Sequence, residues 1–337
     1  MSKTTLLLAS MTLAVLLSCA TAVLMAAQGV AQTTTQPVIL VGAGDIAQCS
    51  QANNAEETAA LLAGIPGTVL ALGDNAYPDG TRAQYANCYD NYRLSDGGIF
   101  DAARTSWWGQ HKRRTMPVVG NHEYHSSTAA QPYFDYFRAV NGFKQPPAPV
   151  PNTTANPGLT PGKGYYSYDK GSWHIVALNS NCNKVGGCER TSAQGRWLRN
   201  NLANTTNKRC TMAYFHHPLY STGNNIPNPS VKPLWQILYN RGAEVILNGH
   251  AHRYERYAPL TPAGDIDSQN GIRQFVAGTG GAPGGSEVYP DHAPGVEVVE
   301  TGTSGVLKLE LSAGFYRWNF VPIAGQTFTD SGTGSCH

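Results

Sequence analysis

Five stretches of this sequence end an apolar run with residues that bind metal ions. Residues 38–41 lead into Gly44-Asp45, residues 69–72 into Gly73-Asp74-Asn75-Ala76-Tyr77, and residues 117–119 into Gly120-Asn121-His122-Glu123. Further on, residues 211–215 lead into His216-His217-Pro218, and residues 244–247 into Asn248-Gly249-His250-Ala251-His252. Carboxylate and amide oxygens, a phenol and imidazoles suit iron, manganese or zinc and disfavour copper(I), which wants thiolate or thioether. A catalytic ion keeps positions open for water and substrate. Asp45, Asp74, Tyr77, Asn121, His216, His250 and His252 are therefore too many ligands for one ion, and imply two that share a bridging carboxylate. Glycines stand before several of these donors (Gly44, Gly73, Gly120, Gly249), where the chain must turn off a strand and let backbone approach the ions. Any one of these residues reads as a polar group at a strand end; five such ends in register read as a site.

The elements that must position these donors follow from the same runs. Val, Ile and Leu at 38–41, 69–72, 117–119, 174–178, 211–215 and 244–247 predict strands, and helical patterns at 54–62, 192–202 and 230–240 alternate with them. The last helix ends on Arg241-Gly242, as a helix C-terminus should. This is an α/β layout, and in an open α/β sheet the carboxyl ends of the strands converge on one crevice. Residues 306–311 and 315–320 alternate with period two around Ser312-Ala313-Gly314, which predicts an antiparallel hairpin that needs another sheet to cover it. Residues 145–164, rich in Pro, Gly, Asn and Thr, predict a loop insertion, a candidate lid, within a single catalytic domain of residues 32–337, since the donors lie on both sides of it.

Composition narrows the partners. With 337 residues, 41% hydrophobic and 14% charged, the chain is an ordinary globular one, and the 36 glycines and 21 prolines mean many shaped loops. Lys plus Arg number 24 against 22 acidic residues, with no basic run to follow a nucleic-acid backbone, so neither nucleic acid nor an anionic membrane is the expected partner. No charge falls between Lys3 and Asp45, and residues 6–27 are strongly apolar behind a short basic start. This predicts a signal peptide over residues 1–31, cleaved after Ala31, and a secreted or periplasmic protein without stable membrane association. An uncleaved anchor and lipidation of Cys19 in Leu16-Leu17-Ser18-Cys19 are the alternatives. Removing the leader leaves Cys49, Cys88, Cys182, Cys188, Cys210 and Cys336, an even number suited to disulfides. Proximity suggests only Cys182–Cys188; the other pairings, like the oligomeric state, are open.

The order Gly-Asp, Gly-Asp-x-x-Tyr, Gly-Asn-His-Glu, His-x-Pro-x-Tyr, Gly-His-x-His resembles the metallophosphoesterase (calcineurin-like) superfamily, in its secreted bacterial, purple acid phosphatase-like branch. The likeness runs from Val38 to Arg256 and includes Gly164-Tyr165-Tyr166-Ser167 and the phrase Trp-His-Ile-Val-Ala-Leu-Asn at 173–179. It implies a four-layer α/β/β/α sandwich of two mixed sheets flanked by helices. Most of the superfamily has a histidine two positions after the first aspartate; here Ala47 stands there and cannot ligate, while Tyr77 stands where the purple acid phosphatases supply a tyrosinate to a ferric ion. Carried over, the resemblance puts Asp45, Asp74, Tyr77 and His252 on a first ion, Fe(III), and Asp74, Asn121, His216 and His250 on a second, Fe(II), Zn or Mn. It makes His122 the catalytic residue that contacts the phosphate and protonates the leaving oxygen.

The function so implied is hydrolysis of a small-molecule phosphate monoester by a water that the two ions acidify. A phosphodiesterase with the same ions, acting on nucleotides or lipid headgroups, and a non-catalytic binding module on a decayed hydrolase fold are the alternatives. His125, His217, Tyr220 and Arg253 are candidate substrate contacts. Gly278-Thr279-Gly280-Gly281 lacks the Gly-Lys-Ser/Thr of a P-loop and reads as a turn bordering the site, and His111-Lys112-Arg113-Arg114 as a solvated face.

Overall fold

The computed structural model describes residues 36–49, 53–93, 99–100, 104–139, 148–153, 156–205, 210–223, 226–284 and 287–337. The expected signal peptide, Cys19 and residues 145–147 and 154–155 of the expected insertion lie outside them. In chain order the main strands are β1 (Val38–Ala43), β2 (Thr68–Leu72), β3 (Thr115–Val118), β4 (Tyr166–Lys170), β5 (Trp173–Ala177), β6 (Cys210–Tyr214), β7 (Val245–Asn248), β8 (Arg253–Leu260), β9 (Ile272–Ala277), β10 (Val296–Thr301), β11 (Gly305–Ser312), β12 (Phe315–Pro322) and β13 (Ser331–Ser335). The main helices are α1 (Ala55–Gly64), α2 (Gln131–Arg138), α3 (Ala193–Ala203) and α4 (Lys232–Tyr239).

The strands form two mixed sheets, a six-stranded one in the order β13-β12-β11-β1-β2-β3 and a seven-stranded one in the order β10-β8-β9-β7-β6-β5-β4. Each has a parallel centre, β1-β2-β3 in one and β5-β6-β7-β9 in the other. β2, β3, β5, β6 and β7 are buried at every position, which is why they read as unbroken apolar runs rather than as alternation.

Leu40, Leu70, Leu72 and Met116 of the first sheet meet Ile175, Met212, Leu247 and Phe275 of the second in the central core. The outer face of the first sheet is covered by Ala59 and Leu62 of α1 and by Tyr133, Phe134, Tyr136 and Phe137 of α2. Leu198 of α3 and Leu234, Trp235 and Leu238 of α4 cover the second. These are the four layers. The predicted hairpin is β11-β12, with Tyr316, Trp318 and Phe320 turned inward, and the second sheet is the cover it needs: Trp173 meets Tyr316 at 5.9 Å and Phe275 meets Trp318 at 5.4 Å between ring centroids.

Two features depart from the sequence reading. The basic segment 111–114 is not a solvated face. It closes a 3₁₀ turn, Trp108–Arg114, with Lys112 buried and its Nζ 3.9 Å over the Tyr136 ring. Arg114 donates to the carbonyls of Leu62, Ile65 and Gly67, capping the C-terminal end of α1. The aromatic helix α2 goes unpredicted, because its buried face is built from Tyr and Phe, whose helix propensity is modest. The described part of the expected insertion is strapped to β4, where the Asn156 side chain accepts from Ser167 N and donates to Ser167 O, both at 2.7 Å.

Three disulfides form: Cys182–Cys188 as proximity suggests, Cys49–Cys88, and Cys210–Cys336. The last ties the start of β6 in one sheet to the residue after β13, the edge strand of the other, and closes a loop of 126 residues. Loops of that size lower the entropy of the unfolded chain most, so the C210S/C336S double variant is expected to lose about 2–5 kcal/mol of stability, read by denaturant unfolding; an unchanged midpoint would show that the staple is not needed.

Candidate metal centre

Six of the seven donors at this centre sit on the turns that end strands, and Tyr77 lies in a two-residue strand, Ala76–Tyr77, just beyond the Asp74 turn. Asp45 follows β1, Asp74 follows β2, Asn121 follows β3, His216 follows β6, and His250 and His252 follow β7. Three of the six turn through left-handed backbone, with φ of 59° at Asp45, 49° at Asp74 and 71° at His250. That conformation is costly for a residue with a Cβ and persists only where the surroundings enforce it, which marks functional sites. The glycines explain themselves here: a Cβ on Gly120 would lie 2.1 Å from Asp74 Oδ1, and one on Gly73 would lie 2.5 Å from His216 Nδ1.

The donors form two groups that meet at Asp74. In the first, Tyr77 Oη lies 2.8 Å from Asp45 Oδ1, 3.1 Å from Asp74 Oδ2 and 3.0 Å from His252 Nε2, and His252 Nε2 is 3.2 Å from Asp45 Oδ1. In the second, His216 Nε2 lies 3.2 Å from Asp74 Oδ2 and 3.1 Å from Asn121 Oδ1. The His250 ring stands 5.0 Å from that of His216, and its backbone N–H donates to Asp45 Oδ2 at 2.7 Å.

The proton count decides what this cluster fits. His216 Nδ1 and His252 Nδ1 face the carbonyls of Leu72 (2.9 Å) and Pro283 (2.7 Å), so each neutral ring carries its hydrogen there and turns the Nε2 lone pair inward. Tyr77 has one hydrogen for three acceptors. Nitrogen lone pairs and carboxylate oxygens turned inward are what a cation, or in its place a proton on an imidazole, satisfies, and hard oxygens mixed with imidazoles suit iron, zinc or manganese. Among the described residues, ligand atoms of Asp45, Asp74 and His216, and separately of His216, His217 and His250, lie within 4.8 Å of one another.

The electrostatics agree. Burial opposes the charge on Asp74, but His216, His122 and His250 outweigh it and hold the carboxyl ionised; burial and His252 act the same way on Asp45. Burial pulls His216 down, yet Asp74 and Asp45 push it up to about 9. Burial and His216 pull His250 down to about 4, leaving it neutral. Burial, Asp45 and Asp74 push the Tyr77 phenol well above its ordinary value, so only a strongly acidic cation would ionise it.

The other candidates separate. His122 belongs to the centre: its N–H donates to Asp74 Oδ1 at 2.9 Å, Nδ1 faces the Pro78 carbonyl, and Nε2 is 3.7 Å from Asp74 Oδ2. His125 stands at the mouth, its ring 4.5 Å from that of His122. His217 lies 4.5 Å from His250, with Nδ1 2.8 Å from Ser180 Oγ. Tyr220 is turned away, its ring between Trp235 and Tyr257 and its hydroxyl toward the Thr261 carbonyl. Arg253 is buried and donates to Glu287 O at 2.6 Å and Thr222 Oγ1 at 3.3 Å, holding two loops together instead of facing the cluster. Gly278-Thr279-Gly280-Gly281 borders the site as expected, Gly280 N donating to Gly44 O and Ala282 N to Asp45 O.

Sequence reasoning missed Glu123. Fully buried, it accepts from the N–H groups of Asp74 (3.1 Å), Gly120 (2.6 Å) and Asn75 (2.8 Å) and from the Tyr85 hydroxyl (3.0 Å). It thereby ties the Asp74 turn to the Asn121 turn. Its place in Gly-Asn-His-Glu was the available signal.

Residues 40–254, well over half the chain, match the Calcineurin-like phosphoesterase family, and the chain belongs to that family. It stands in the purple acid phosphatase-like branch. Purple acid phosphatase 15 of Arabidopsis thaliana is 24% identical over 290 residues, covering 80% of this chain and 49% of that protein. Probable inactive purple acid phosphatase 9 of the same plant is 26% identical over 197 residues, covering 49% and 29%. The chain thus spans about half or less of these relatives. The solved purple acid phosphatase PPD1 from yellow lupin (Lupinus luteus) seeds superposes with a TM-score of 0.65 at 18% identity, over 89% of this chain and 54% of that one, a likeness of fold.

Two outcomes follow. Glu123→Ala, which orphans four donors, is expected to weaken binding of zinc by about 10–100-fold, read by chelator competition; unchanged affinity would remove its positioning role. Because a cation must displace the proton on His216, held up to about 9, zinc affinity of the ion-free protein should climb about tenfold per pH unit up to that value, and a flat profile from about pH 6 to about 9 would contradict it.

Proposed function

We propose that this chain is an exported dinuclear metallohydrolase that cleaves phosphate monoesters. The observation that carries the reading is the gathering of seven donors, Asp74 at their middle, with the Nε2 atoms of His216 and His252 turned inward. Kinship alone is insufficient, since a relative bears the word inactive in its name; here each donor position is filled. Asp45, Asp74, Tyr77 and His252 would hold the first ion, Fe(III), and Asp74, Asn121, His216 and His250 the second, Fe(II), Zn or Mn. Bound there, the two ions supply an acidified water and neutralise the phosphoryl oxygens.

The chain's own residues do the rest. Asp74 would be common to both ion sites, and it accepts the His122 backbone N–H, which fixes the His122 ring beside the cluster. With Nδ1 held at the Pro78 carbonyl, Nε2 is the atom free to donate a proton to the departing oxygen. Three disulfides support an oxidising compartment. Among the described residues no helix is long and apolar enough to cross a membrane.

The test is metal analysis with a visible spectrum. A tyrosinate-to-iron(III) absorption that vanishes in Tyr77→Phe supports the assignment, and a colourless enzyme holding only zinc or manganese refutes the iron. His122→Ala should lower kcat by about 10²–10⁴-fold on an alkyl phosphate and far less on para-nitrophenyl phosphate, whose leaving group needs no proton; equal losses would make His122 a positioning residue. A faster rate on a diester than on the matching monoester would move the substrate class.

A further inference from the structure

A cleft of about 450 Å³ opens beside the second group of donors. One wall is Asn121, His125 and His217 of the centre itself; the other is Asn181, Asn183 and Lys184 on the loop after β5. Amides, hydroxyls and imidazoles dominate the lining, and among the described residues no carboxylate takes part in it. Lys184 is the one permanent charge among the described residues that line it. Such a surface is a poor host for an apolar group and offers hydrogen bonds to hydroxyls.

The loop is built to hold its position. The Cys182–Cys188 disulfide closes it, and within it Gly187 N donates to Cys182 O and Lys184 N to Asn181 O, both at 2.8 Å. Asn181 Nδ2 reaches the carbonyls of Gly120 (3.3 Å) and Val119 (3.4 Å), the residues just before Asn121. The loop is thus anchored to the turn that carries a candidate metal ligand. Lys184 is exposed, with its Nζ 5.8 Å from the centroid of the buried Tyr124 ring. Among the described residues no carboxylate forms an ion pair with it.

We infer that this cleft is a leaving-group subsite, and that Lys184 selects phosphate monoesters whose leaving group is hydroxylated and carries a second phosphate. The inference rests on the phosphatase reading above. A phosphoryl group seated at the donor cluster leaves its ester oxygen facing outward, and the polar cleft adjoining Asn121 and His217 is where the remainder of the substrate lies. A second phosphate there meets the Lys184 ammonium with no competing carboxylate among the described lining residues, whereas a neutral sugar meets only amides, hydroxyls and imidazoles. The disulfide preorganises the loop that carries Lys184, so ordering of the loop is not charged against binding.

The experiment compares kcat/KM for a hexose bisphosphate and the corresponding hexose monophosphate in the metal-loaded protein. The bisphosphate is expected to be favoured by about tenfold at low salt, with the preference falling as salt screens the ammonium. Lys184→Gln should bring the ratio to about one, and Lys184→Arg should keep it. The C182S/C188S double variant should raise KM for the bisphosphate more than for the monophosphate. A ratio untouched by Lys184→Gln overturns the inference, and if para-nitrophenyl phosphate is still hydrolysed, the phosphatase reading stands without it. Absence of turnover on every phosphomonoester with iron, zinc or manganese overturns both.

Discussion

Two buried carboxylates, Asp45 and Asp74, repel each other where the donors crowd together, and everything else at this centre serves to hold them there. Tyr77 Oη alone faces two carboxylate oxygens and an imidazole nitrogen. No single strand could sustain this. The repulsion is carried by a central core spanning both sheets and by turns locked in left-handed backbone at Asp45, Asp74 and His250. The strain is local and the packing that offsets it is distributed, which is how folded proteins keep functional geometry.

Three main-chain carbonyls do quieter work. Those of Leu72, Pro283 and Pro78 face the Nδ1 atoms of His216, His252 and His122, and so decide which nitrogen of each ring is turned to the cluster. Glu123 plays the matching part for the backbone: one buried carboxylate takes up the N–H groups of two different turns and sets their separation. Burial and Asp74 push its pKa up, and the N–H groups of Asn75 and Gly120 pull it down.

Farther out, the same economy governs the outer walls. Arg253 and Arg114 donate to carbonyls of other segments rather than facing solvent, and disulfides fasten an edge strand and a loop to the hydrophobic clusters beneath them. The cleft beside the second group of donors owes its shape to one of these fasteners.

The donors were legible in the sequence because strand ends announce themselves locally: an apolar run, a glycine, then oxygen or nitrogen ligands. The parallel strands and the C-terminal hairpin were legible for the same reason, as burial on two faces or on one leaves its own periodicity. Directions of long side chains were not. Tyr220 and Arg253 sit near the motifs in sequence yet point elsewhere, since a side chain's course depends on which neighbours offer it space and partners. Lys112 reads as a surface charge until the Tyr136 ring is placed beneath it. Cys49–Cys88 and Cys210–Cys336 could not be paired from spacing, because only tertiary packing, and for Cys210–Cys336 the stacking of the two sheets, brings positions so distant along the chain together. The sequence by itself determined which chemistry was available; the tertiary structure decided which residues share it, because ligation needs several atoms within a few ångströms and chain order says nothing about distance.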